Sequence, residues 1–171
     1  MTAGRRYTLG SCDTLRIREL LEKRMNGLGI GRALRPAMRS EPAYKQLDTW
    51  QQAMTLVERC YEVTSAFPRS EMYGLTNQIR RAAVSIPSNV AEGFCRRKTK
   101  AYANHVSIAL GSHGELETCL ELAARLGFLS REKLGLLEQM TTSVGSLLSG
   151  LHRSLEDKIA REKAASRSRS S

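Results

Sequence analysis

Six cations crowd one stretch of the sequence and are the side chains best placed to do chemistry. Arg80, Arg81, Arg96, Arg97, Lys98 and Lys100 lie between residues 72 and 114, with Glu92 the one acid among them. Such a cluster suits phosphate, and phosphate contacts give salt-sensitive, largely sequence-independent affinity for RNA or DNA. Consecutive arginines on a helix splay by about 100°. Arg80 and Arg81 therefore cannot both face inward, and at least one is expected at the surface. The alternative is structural: the basic loop pairs with Glu115, Glu117 and Glu121 of a neighbouring chain, or Arg80 and Arg81 cap carbonyls near Pro87. Few aromatics interleave with the cations, which disfavours single-strand readout by base stacking.

The other reactive residue types point away from catalysis. Glu92 lacks a partner acid or base at helical spacing, so a salt bridge to a nearby arginine is expected rather than acid–base work. His105 and His113 are eight residues apart, His152 is remote, and no histidine pair or cysteine falls at a metal-ligand spacing. Ser112, His113 and Glu115 are too close on one helix to form a relay. Cys12, Cys60, Cys95 and Cys119 are scattered without a C-x-x-C pair, and three of them sit in apolar helical settings, where thiols act as small hydrophobes. NGLGIG lacks the Lys-Ser/Thr ending and preceding strand of a phosphate loop. No catalytic residue, metal or cofactor is expected.

Four periodic segments must position these residues. The first runs from about 48 to 66 on Leu47, Trp50, Ala53, Met54, Val57, Cys60 and Tyr61, with Asp48 as N-cap and Phe67-Pro68 as the stop. The second, about 75 to 94, uses Leu75, Ile79, Ala82, Ala83, Ile86, Val90 and Phe94, and Pro87 inside it predicts a kink or brief break. The third, about 99 to 126, carries Tyr102, Val106, Ala109, Leu110, His113, Leu116, Leu120, Ala123 and Leu126, and ends at Gly127. The fourth opens at Ser130 and runs on Leu134, Leu137, Met140, Thr141, Val144, Leu147, Leu148, Leu151, Leu155 and Ile159. Short connections favour antiparallel neighbours. The expected fold is all-α: an antiparallel up-and-down four-helix bundle over residues 43–159, its second helix kinked at the proline.

Gly111 and Gly114 cost about 1 kcal/mol each inside a helix, which suggests close approach where helices or subunits meet. Ala83, Val84, Ile108, Cys119 and Leu122 lie partly off the inward stripes and point to a second, intersubunit surface, hence a homo-oligomer.

The chain has 171 residues and a net charge of +10, with 5% aromatics, a balance suited to one helical domain. Much of the charge lies at the ends: residues 1–42 hold nine Lys/Arg against four Asp/Glu, and residues 159–171 hold four against one. Residues 1–42 read as a poorly ordered extension or a short helix over 13–25, and one reading of residues 1–37 is an over-extended start before Met38. Residues 160–171 read as a disordered Ser/Arg-rich tail. No run approaches the roughly 18 apolar residues of a membrane span, and the start lacks a secretory apolar stretch. A cytoplasmic protein is expected.

Three stretches carry a resemblance: YKQLDTWQ at 44–51, YGLTNQIRRAAVSIPSNVAEG at 73–93, and ALGS at 109–112 followed by ELET at 115–118. They resemble the four-helix-bundle proteins named after the intervening sequences of large-subunit ribosomal RNA genes. That family also takes in the accessory proteins of diversity-generating retroelements. The resemblance spans about residues 43–158 and leaves out both ends. It implies a ring-like homopentamer, and in the retroelement branch a protein that binds its reverse transcriptase and associates with nucleic acid. It carries no catalytic residues. Two functions follow: a non-catalytic adaptor binding nucleic acid or a reverse transcriptase, or a structural protein of a mobile or intervening sequence with no nucleic-acid role.

Overall fold

The computed structural model describes residues 41–168; the expectations for residues 1–40, for Cys12 and for the last three residues lie outside them. Among the described residues there are four long helices and no strand. They are α1 (Asp48–Thr64), α2 (Leu75–Cys95), α3 (Thr99–Arg125) and α4 (Arg131–Ser168), with single 3-10 turns at Ala43–Gln46 and Arg69–Met72. α1 packs on α2, α2 on α3, α3 on α4, and α4 returns to α1.

Local chemistry sets the helix ends. Asp48 is the first residue of α1 rather than its cap, where its carboxylate faces the positive end of the helix dipole. The Glu71 carboxylate accepts the Leu75 N–H at 3.0 Å and so caps α2 from outside. α3 stops in a Schellman arrangement: Phe128 N–H bonds the Ala123 carbonyl at 2.9 Å and Gly127 N–H the Ala124 carbonyl at 3.0 Å. Gly127 has φ +76, a conformation that a side chain resists. Ser130 Oγ accepts the Lys133 N–H at 3.3 Å at the start of α4.

α2 is one continuous helix through Pro87, so no break interrupts it. Proline removes a donor at that turn, but neighbouring side chains bond to its carbonyls. Ser88 Oγ donates to the Val84 carbonyl at 2.8 Å and Asn89 Nδ2 to the Ser85 carbonyl at 2.9 Å.

Leu56, Ile79, Ile86, Val90, Val106, Leu116 and Leu148 are fully buried between the helices. Leu56 is missing from the sequence stripe, whereas Tyr61 and Leu126, which the stripes include, are 45% and 54% exposed. Ala83 and Cys119 are buried within their own chain, so they are not spare surface; Val84, Ile108 and Leu122 do remain exposed. Burial also pushes the Cys60 thiol up to about 12. α4 continues as helix to Ser168, past the expected boundary near residue 159. Residues 160–168 are exposed there, and their Ala, Glu, Lys and Arg content loses little rotamer freedom in a helix.

The glycines that permit close approach are not the expected ones. A Cβ at Gly111 or Gly114 would meet nothing within 4 Å. A Cβ at Gly93 would lie 2.6 Å from Tyr102 Cδ2 and 2.8 Å from His105 Cβ, and one at Gly145 would lie 2.9 Å from the His113 ring. Gly93→Ala is therefore expected to lower unfolding stability by about 1–3 kcal/mol through overpacking, and Gly114→Ala to raise it by about 0.5–1 kcal/mol. Urea unfolding of the two variants checks the opposite signs.

Candidate nucleic-acid interface

The six cations do not form one surface. Arg80 is half-buried: its Nε donates to Thr64 Oγ1 at 2.9 Å and its guanidinium lies 4.7 Å from the centre of the Tyr61 ring. It ties α2 to the end of α1. Neither Arg80 nor Arg81 caps a carbonyl beside Pro87, where Ser88 and Asn89 take that role. Arg81 is exposed and makes no ion pair or hydrogen bond with a described residue. A shallow depression of about 580 Å³ runs beside it, bordered by Asn77, Gln78, Ser85, Ser112 and Glu115.

The second group sits at the far end of α2. Arg96 Nη2 meets Glu92 Oε1 at 2.5 Å, the salt bridge that an isolated acid in a basic stretch suggests. The hydrogen bond from Arg96, aided by the charges of His105 and Arg96, holds the Glu92 carboxyl below the usual carboxylate range. Arg97, at φ 55, makes the sharp turn between α2 and α3. Lys98 is the N-cap residue of α3, and Lys100 lies in its first turn. Arg97, Lys98 and Lys100 are exposed and have no carboxylate partner among the described residues. That first turn has no acid and no side-chain cap, so its free N–H groups add positive potential. Fifteen residues of helix separate Arg81 from Arg96, roughly 22 Å at 1.5 Å per residue.

The acids that follow in sequence are engaged within the chain. Glu115 accepts a hydrogen bond from Gln78, Glu117 Oε2 lies 3.5 Å from His113 Nδ1, and Glu121 binds Arg125 Nε at 2.6 Å. The Arg125 hydrogen bond, then the charges of Arg125 and Arg131, lower the Glu121 carboxyl.

Between α2 and α3 runs a polar seam that sequence reasoning missed. Ser85 Oγ and Ser112 Oγ are 2.8 Å apart, Asn89 Nδ2 reaches Ser85 Oγ at 3.1 Å, and Asn89 Oδ1 meets His105 Nδ1 at 3.1 Å. Asn89 donates its amide N–H groups to Ser85, so its oxygen accepts from His105. His113, buried, donates Nε2–H to the Thr141 carbonyl of α4 at 2.7 Å, in the space that Gly145 leaves open. Gly145 is one of three glycines in α4, with Gly135 and Gly150, and nothing in the sequence distinguishes it from the other two, which face open space. Among the described residues there is no group of three His, Cys, Asp or Glu that could hold a metal, and no helix is long and apolar enough to cross a membrane.

Among the described residues, four long helices with a polar seam and two separate basic groups define a small helical protein. A family model described as 23S rRNA-intervening sequence protein matches residues 45–150, and the chain belongs to that family. A crystal structure of a protein with unknown function from the S23 ribosomal protein family of Bacteroides thetaiotaomicron VPI-5482 is similar in fold. It is 22% identical, with a TM-score of 0.58, and the match covers 61% of this chain and 95% of that one. No curated protein matches.

Two outcomes follow from these contacts. Arg80→Ala is expected to lower stability by about 1–2 kcal/mol through loss of the Tyr61 and Thr64 contacts, measured by chemical unfolding. The lowered Glu92 carboxyl stabilises the fold above the usual glutamate range, and this contribution disappears as pH falls through the lowered value. Glu92→Gln should therefore melt below the native protein near pH 7, and the difference should shrink as pH falls through the lowered value; melts over an acidic pH series check the sign.

Proposed function

We propose that the protein is a non-catalytic oligomeric adaptor that binds nucleic acid, alone or with a reverse transcriptase, through exposed cations. The observation that carries this is the set Arg81, Arg97, Lys98 and Lys100, exposed and without a carboxylate partner among the described residues. Unneutralised cations gain by displacing counterions from a phosphate backbone. The membership in a family named for rRNA intervening sequences fits a nucleic-acid setting. In this proposal the helices form an antiparallel up-and-down bundle with α2 bent at Pro87. Residue numbers falling along α3 as they rise along α2, from the Gln78–Glu115 pair to the Asn89–His105 pair, support it. The retroelement branch of the family supplies the reverse-transcriptase partner, and a cytoplasmic location goes with it.

A second reading has its own support. Arg80 and Arg96 are committed to Tyr61, Thr64 and Glu92, as in a structural protein with no nucleic-acid role. A filter-binding titration with RNA and DNA over a salt series separates the two. The adaptor reading expects binding at about 50 mM salt that falls log-linearly as salt rises; no binding at low salt leaves the structural reading. Oligomer formation, five subunits in the family resemblance, is supported by exposed Val84, Ile108 and Leu122. Light scattering should give a mass above the 19.0 kDa of one chain. A clean monomer contradicts it.

A further inference from the structure

The end of the molecule that carries the α2–α3 turn also carries the last turns of α4. Thr99 Oγ1 donates to Glu162 Oε1 at 3.1 Å, joining the first residue of α3 to α4 beyond the expected end of the patterned region. Arg97, Lys98 and Lys100 are exposed on one side of that bond; Lys158, Arg161 and Lys163 are exposed on α4 within about one turn of it. Glu162 is the only acid between residues 158 and 168. Arg161 Nε donates to the Asp157 carbonyl at 3.3 Å, a neutral acceptor that leaves its charge uncompensated. Two segments some sixty residues apart thus contribute cations to one end, beside the uncapped N-terminus of α3.

The geometry points to this composite end as the docking surface for the sugar-phosphate backbone of a nucleic-acid duplex, with α4 running along it. The inference rests on the nucleic-acid reading above and relocates its binding surface, since Arg81 stands roughly 22 Å away along α2. A duplex carries one negative charge per about 1.7 Å of its axis, and residues 158–168 of α4 extend roughly 15 Å, enough to meet several phosphates. Base stacking is not offered here. Tyr44, Trp50, Phe94 and Tyr102 at this end pack edge-to-face on one another, with centroids 5.6 to 6.5 Å apart. Among the described residues the most exposed aromatic, Tyr73, is in the α1–α2 connection at the opposite end.

Fluorescence anisotropy with 20-base-pair RNA and DNA duplexes and their single strands, using the full chain over a salt series, tests this. The variant Arg97→Asn/Lys98→Gln/Lys100→Gln, with asparagine chosen because it tolerates positive φ, should bind duplex about tenfold more weakly at about 50 mM salt. Lys158→Gln/Arg161→Gln/Lys163→Gln should do the same, and each should flatten the salt slope by about 0.9 per lost contact on DNA. Arg69→Gln, an exposed cation in the α1–α2 connection at the opposite end, should stay within about twofold, and Glu162→Gln should tighten binding about twofold, a gain that misfolding cannot mimic. RNA and DNA duplexes distinguish the source of the phosphates. If Arg81→Gln abolishes duplex binding while both end variants retain it, this surface is wrong and the nucleic-acid reading stands. Single strands binding tenfold more tightly than duplex would also overturn the duplex inference. Absence of binding to any probe at about 50 mM salt overturns both.

Discussion

The contact between α2 and α3 at Gly93 is the constraint from which the other features follow. With no side chain at that position, Tyr102 and His105 can lie against the α2 backbone, closer than any Cβ would allow. Leucine and alanine faces pack acceptably in more than one register. The Ser85–Ser112 and Asn89–His105 bonds of the seam select one, because a slip would leave part-buried polar groups without partners.

That register has consequences at the end of the molecule. It leaves only residues 96–98 to connect two long helices, which drives Arg97 to φ 55 and exposes the cations around it. It also brings the start of α3 level with Glu162, so the late turns of α4 stand beside the basic turn. The stretch SIPSN thus does packing work: serine and asparagine side chains bond carbonyls around Pro87 and cross to α3 at the same time. The placement of exposed charge is an outcome of how the helices meet.

Much of the fold was legible in the sequence because helix periodicity is a local signal. All four helices lie where the apolar spacing put them, and Gly127 ends α3 as its type suggests. What could not be read were properties of the assembled surfaces. Gly111 and Gly114 looked like close-approach positions and face open space, while Gly93 and Gly145 admit His105, Tyr102 and His113; a glycine's neighbour is chosen by the register, which no single helix encodes. Leu56 and Cys119 are buried and Tyr61 is exposed for the same reason. The six cations were adjacent in the sequence pattern, yet helix rise divides them, and Lys158, Arg161 and Lys163 join the end group only through tertiary placement. Composition suggested a disordered tail from residue 160, but its strong helix formers extend α4 to Ser168.

Amide hydrogen exchange of the full chain with and without a 20-base-pair duplex, at about 50 mM salt, addresses the central claim most directly. The account expects new protection in two separate segments, the first turn of α3 around residues 98–102 and the end of α4 around residues 158–168, with residues 77–85 unchanged. Protection confined to residues 77–85, or none in either end segment while the duplex is bound, would contradict it.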